Sequence, residues 1–202
     1  MVNIFIYLLK QRPLEWVRIS LLSHSVYSQQ GGTMTKPQLN HDDTQLTTLY
    51  DLADFARSLD KLVGSAKKEL SVLTHALPVA LFARSETVSA ISLLVRRHKL
   101  CHIRILITEP QDLNHHNHAF IQLQQRLPSK ILCRQLNREI TPPKHGFIIG
   151  DQNKLLLQHE RDVFAGSLNL SAGPQAQKLL EEFNQLWERQ SADIPDLKQL
   201  SI

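Results

Sequence analysis

The sequence predicts an α/β fold built as a mixed sheet flanked by helices. Two observations carry this. Short apolar runs first alternate with amphipathic helical periods, and three strand-like runs then follow one another closely before a last helix. A hydrophobic content of 42% over 202 residues excludes a disordered or collagen-like chain and suits a single core.

The elements follow in order. Residues 34–64 comprise a polar lead-in containing Pro37 and the body of an N-terminal helix. Leu49, Leu52, Ala53, Phe55, Ala56, Leu59, Leu62 and Val63 recur at spacings of three and four, so the helix is drawn from Thr47 to Lys68 with one apolar face. Leu70–Leu77, stopped by Pro78, reads as the first strand. Ser85-Glu86-Thr87 opens a second helix, and Arg96, Arg97 and Lys99 lie at its end, where cations suit the helix dipole. His102–Thr108 is a second strand. A third helix follows Asp112 and runs to about Leu127 before Pro128, and Ile131–Leu136 is a third strand. Such short, apolar strands joined through helices predict parallel pairing.

After Pro142-Pro143 the rhythm changes. Gly146–Gly150, Lys154–Gln158 and Val163–Leu170 read as consecutive strands, with Asp151-Gln152-Asn153 as a hairpin turn. The last helix starts at Gly173-Pro174, with Leu179, Leu180, Phe183, Leu186 and Trp187 on its apolar face. Residues 191–202 read as a C-terminal tail.

The formal net charge is +4, from 23 basic and 19 acidic side chains. This permits anion or nucleic-acid binding without requiring it. Cys101 and Cys133 sit in apolar runs without metal or redox spacing and read as core thiols of a cytoplasmic protein. No run reaches the roughly 20 apolar residues of a membrane span. There is no glycine-rich nucleotide loop and no P-loop, so no cofactor is expected.

The order of these elements, ending in Gly166-Ser167-Leu168-Asn169, resembles one half of a phospholipase D-like fold over residues 65–190. That superfamily carries His-x-Lys, an Asp seven residues after the His, and Gly-Ser-x-Asn on a later strand. Gly166, Ser167 and Asn169 fill the last set, and Asp151 fills the Asp slot. Seven residues before Asp151 stands Lys144, in the nucleophile slot. Gly146 stands in the lysine slot. His145 is one residue out of register, a shift that turns a strand side chain to the opposite face.

The resemblance implies a histidine nucleophile on phosphorus, a second histidine from another motif copy as acid, and Lys, Ser and Asn groups holding the phosphoryl oxygens. One copy at most is present, so activity would demand a homodimer. The chain is also similar to uncharacterised proteobacterial domains of this degenerate kind, some joined to acetyltransferase-like domains. The expectation is a catalytically inactive binding or regulatory domain for a phosphate-bearing ligand or nucleic acid. It would use Ser167, Asn169, Lys144 and His145, with a homodimer or an acetyltransferase-type protein as possible partner. Two alternatives stand beside it: a homodimeric phosphodiesterase using Lys144 or His145, and a ligand-free scaffold.

Other polar groups carry plainer readings. Ser167 and Asn169 share a strand face and either bind an anion or cap the start of the last helix. His115 and His118 have the spacing to share a metal, but no third ligand accompanies them, so the His115-His116-His118 cluster reads as a solvated first turn. Arg96-Arg97-His98-Lys99 reads as a helix-end charge cluster that can also meet phosphates.

Residues 1–33 lack a sustained period, and Gln30-Gly31-Gly32-Thr33 can be encoded by a purine-rich stretch resembling a bacterial ribosome-binding site. Translation is therefore expected to start at Met34, leaving 20 basic and 18 acidic side chains. The rival reading is a short amphipathic extension. Intact mass of the protein from its native source should correspond to a chain beginning at Met34; a mass that includes Met1 would defeat the expectation.

Overall fold

The computed structural model describes residues 46–197, apart from His98, residues 111–117 and Asp162. The expected start at Met34, His115, His116 and His98 lie outside the described residues. In chain order the elements are β1 (Thr47–Leu49), α1 (Leu52–Ser65), β2 (Glu69–Thr74), α2 (Val79–Phe82), α3 (Ser85–Arg97) and β3 (His102–Ile107). There follow α4 (Ala119–Arg126), β4 (Ile131–Leu136), β5 (Gly146–Gly150), β6 (Lys154–Glu160), β7 (Val163–Asn169), α5 (Gly173–Arg189) and β8 (Ser191–Asp193). A 3₁₀ turn covers Pro195–Leu197.

The strands form one eight-stranded sheet in the order β1-β7-β6-β5-β2-β3-β4-β8. β2, β3 and β4 are parallel, and every other pairing is antiparallel. The expected α/β class and mixed sheet are therefore found. Helices α1, α3 and α4 cover one face, where Phe55, Leu59, Leu62, Leu94, Ile105, Phe120 and Leu156 are buried. Helix α5 covers the other, over Leu73, Leu106, Phe147, Ile149 and Leu155.

Three elements differ from the expectation. The helix drawn from Thr47 starts at Leu52, because Asp51 caps it with an acceptor for the Asp54 amide at 2.8 Å. Thr47–Leu49 instead pair with the open edge of β7. Residues 191–193, expected in a tail, pair with the open edge of β4, and Ile194 behind them is buried. Helix α2 is a single turn after Pro78, too short for any periodic signal.

Helix α5 is held by a polar layer as well as by its aromatic residues. The Arg104 guanidinium donates to Asn184 Oδ1 at 2.9 Å and to Ser71 Oγ at 3.1 Å. It also lies over the Phe183 ring at 5.0 Å and near Trp187 at 5.9 Å. Burial pushes its pKa down, against the pull of Glu69 and Glu188.

The β5–β6 hairpin turns through Asp151 and Gln152, both with positive φ of 49° and 64°. Its closing bond runs from the Asn153 amide to the Gly150 carbonyl at 3.2 Å. Left-handed backbone costs a non-glycine residue about 1 kcal/mol or more. The Asp151 carboxylate offsets this. It accepts from the amides of Lys67 at 2.9 Å, Lys68 at 2.8 Å and Glu69 at 3.3 Å, and from Lys154 Nζ at 2.8 Å. Partial burial alone would raise its pKa, but the Lys154 ammonium and the Lys68 and Lys67 amides outweigh burial and hold it below the ordinary aspartate value.

Glycine is required at one strand position. A Cβ on Gly166 would stand 1.9 Å from the Leu157 carbonyl oxygen of β6, whereas one on Gly173 would meet nothing within 4 Å. Beside this close approach the β6–β7 register shifts between Gln158 and Glu160. Gln158 Nε2 spans the irregularity, donating to the carbonyls of Arg161 at 2.8 Å and Val163 at 3.1 Å.

Two predictions follow from these contacts. Gly166→Ala should cost about 3 kcal/mol or more in urea denaturation, while Gly173→Ala stays within about 1 kcal/mol of the parent. Equal effects would show that β6 and β7 separate without strain. Asp151→Asn should destabilise the chain by about 2 kcal/mol at neutral pH. The carboxyl is more acidic folded than unfolded, so its contribution is complete above about pH 4 and is lost as pH falls through the folded value. The gap between parent and variant should therefore narrow at pH 3; a constant gap would refute the assignment.

Candidate functional site

Strand β5 divides the motif positions by alternation. Gly146 and Ile148 face the α1 side, and Phe147 and Ile149 face α5. Lys144, just before the strand, is exposed. His145 is half-buried on the α5 side. Its ring stacks on Phe147 with centroids 5.9 Å apart, and its Nε2 lies 3.7 Å from Glu182 Oε1 on α5. That is ion-pair range but beyond a hydrogen bond. His145 thus lies on the face opposite Gly146, just before β5 begins.

Ser167 and Asn169 also face the α5 side, because they pair with Leu157 and Leu155 of β6. They do not meet His145. Phe147, Leu157 and Ser167 form one row across β5, β6 and β7. Two strand spacings and two further residues therefore put the Cα of His145 roughly 12 Å from that of Ser167. The strand that follows Lys144 does not adjoin the Gly-Ser-x-Asn strand: β6 lies between them. The reason is that β6 is a full strand with partners on both sides.

The other residues in the expected motif slots have local duties. Asn169 Oδ1 accepts from the Ser171 amide at 2.8 Å, closing the turn into α5. Gly166 permits the close approach to β6. Asp151 sits at the far end of β5 from Lys144, bound to the amides that begin β2.

Two concavities lie at opposite edges of the sheet. The first, about 280 Å³, opens at the carboxyl end of β2, between β2 and β5. There the parallel strands run one way from β2 and the antiparallel strands the other, the position at which open α/β sheets bind ligands. Its walls include Phe55, Phe82 and Phe164, and its polar groups are Thr74, His75, Gln158 and Arg161. His75 Nδ1 lies 2.8 Å from Thr108 Oγ1, and Arg161 is paired with Glu109. Of the motif residues only Gly146 lines it, and glycine brings no charge.

The second, about 850 Å³, is an open groove at the amino ends of β2 and β3, beside the hairpin turn. Lys67, Lys68, Lys99 and Lys154 surround it with His102, Gln152 and Asn153. The sequence signalled only part of this edge, as the basic end of α3. Lys67 and Lys68 join it through the fold. His75 and Arg161 were not signalled at all, since each stands alone in an unremarkable run.

The expectation that His118 stands in a solvated first turn is corrected: it is 2% exposed, with Nε2 3.1 Å from the Leu77 carbonyl and its ring edge-on to Phe120. Cys101 and Cys133 are buried and unbridged, and burial pushes the Cys133 thiol up to about 12. Among the described residues no group of three His, Cys, Asp or Glu is placed to hold a metal ion. No helix among them is long and apolar enough to cross a membrane.

Comparison with known proteins places the fold. An archaeal chromatin protein, TrmBL2, whose structure is described as showing a novel mode of DNA binding, superposes with a TM-score of 0.56 at 13% identity. The match covers 78% of this chain and 57% of that one, so the chain spans just over half of its neighbour's length. NucT from Helicobacter pylori superposes with a TM-score of 0.51 at 15% identity, over 75% of this chain and 99% of NucT. The phosphatidylserine synthase of Haemophilus influenzae Rd KW20 is more distant, at a TM-score of 0.43 and 12% identity, over 71% of this chain and 38% of the synthase. The fold is phospholipase D-like. No curated protein matches the chain. The family described as "Domain of unknown function (DUF7931)" matches residues 51–200, and the chain belongs to that family.

Proposed function

We propose that the chain is a phospholipase D-like domain that binds a phosphate-bearing ligand, nucleic acid above all, without hydrolysing it. The observation that carries this reading is the dispersal of the motif. The slots for nucleophile and lysine hold Lys144 and Gly146, while His145 lies on the opposite side of β5, its Cα roughly 12 Å from that of Ser167. Hydrolysis of a phosphodiester needs a nucleophile, an acid for the leaving oxygen and donors for the phosphoryl oxygens around one phosphorus. Against this requirement, Gly146 is the only motif position among the described residues that lines the cavity at the carboxyl end of β2. Asn169 and Asp151 are engaged in backbone hydrogen bonds instead. A neighbour of this fold described as a DNA-binding chromatin protein supports nucleic acid as the ligand class.

One observation favours a second reading, a homodimeric phosphodiesterase. His145 and Glu182 form a His–carboxylate pair on the same sheet face as Ser167, and a second copy would have to supply the other catalytic groups.

The test is turnover of a generic aryl phosphodiester by the full chain at high enzyme concentration. The expected rate equals that of buffer, for the parent and for His145→Ala alike. Turnover by the parent that disappears in His145→Ala would overturn the binding reading and establish the dimeric enzyme.

A further inference from the structure

We propose that the amino-terminal edge of the parallel strands is a docking surface for the sugar-phosphate backbone of a nucleic-acid duplex. It rests on the reading that the ligand carries phosphate, and it moves the contact to the end of the sheet opposite Lys144 and Gly146.

The surface is assembled from separate elements. Lys67 and Lys68 follow α1, Arg96 and Arg97 end α3, and Lys99 opens the loop into β3; all five are exposed. The acids of the same edge are already engaged. Glu69 lies 3.5 Å from His102, and Asp151 holds Lys154 together with the Lys67, Lys68 and Glu69 amides. None of the five cations has an ion-pair partner among the described residues.

Helix-end electrostatics do not account for the cluster. Only Arg96 and Arg97 occupy a last helical turn; the last turn of α1 holds no basic residue, and Lys67, Lys68 and Lys99 lie beyond the helices. The Asp151 clasp fixes the backbone beneath Lys67 and Lys68, so their charges project from a rigid base.

The extent fits a backbone. From Lys68 before β2 to Lys130 before β4 the edge crosses β3. Two strand spacings make about 10 Å. A duplex strand carries a phosphate about every 3.4 Å along its axis, so the edge faces about three of them. Among the described residues the groove carries no Phe, Tyr or Trp on which unpaired bases would stack, which favours a duplex over a single strand. Leu100, 90% exposed, is the one large apolar side chain there among the described residues. A single leucine is too little apolar area to hold a membrane surface.

The experiment is fluorescence anisotropy of a short labelled DNA duplex of mixed sequence with the full chain, titrated across salt. The variants are Lys67→Ala with Lys68→Ala, Arg96→Ala with Arg97→Ala, and Lys178→Ala with Arg189→Ala on α5 as a charge-matched control. Each edge variant should weaken binding by about ten-fold or more and reduce the salt slope by about 1.8; the control should change affinity less than about two-fold. Thermal melts should show all three folded. Edge variants that bind as the control does would overturn the surface while leaving the binding reading intact. Failure of the duplex to bind at low salt, with capture of phosphatidylglycerol vesicles instead, would also overturn it. Failure of the binding reading shows separately, as turnover of the aryl phosphodiester.

Discussion

One carboxylate ties the sheet together at its amino-terminal edge. Asp151 binds the amides that lead into β2, the ammonium that starts β6, and through its own amide the Glu69 carbonyl at 3.2 Å. The same turn reaches α5, since the Asn153 carbonyl accepts from the Ala172 amide at 2.7 Å. The central parallel strand, the antiparallel hairpin and the helix on the far face are thus fastened at one point. The left-handed backbone of Asp151 and Gln152 persists because these bonds outweigh its strain.

This bears on the residues that fill the expected phospholipase D-like motif slots. Asp151, Gly166 and Asn169 are each required by the backbone: as an amide acceptor, as a gap for the Leu157 carbonyl, and as the cap of a turn. Lys144 is exposed before β5, and Gly146 lines the cavity at the carboxyl end of β2.

Most of the sheet was legible in the sequence. β3 through β7 are short, apolar and bounded by turn residues, so local pattern and tertiary structure agree. What escaped were elements stabilised only by distant partners. Thr47–Leu49 continue a helical period and become a strand because β7 offers an open edge. Residues 191–193 are polar and unpatterned, and β4 makes them a strand. The site was less legible for the same reason. His75 and Arg161 line one cavity walled by Phe55, Phe82 and Phe164 from three elements, and Lys67 and Lys68 join Lys99 only because β2 lies beside β3.

The two ends of the sheet carry a constraint on assembly. β1 and β8 are its outer strands, and each is only three residues long. Their outward backbone groups offer too short a template for another chain to extend the sheet by strand addition. Self-association through continuous β-pairing is thereby discouraged. Among the described residues, contact between two copies is thereby favoured through side chains on a face, where charge and shape select the partner, over hydrogen bonding along an outer strand.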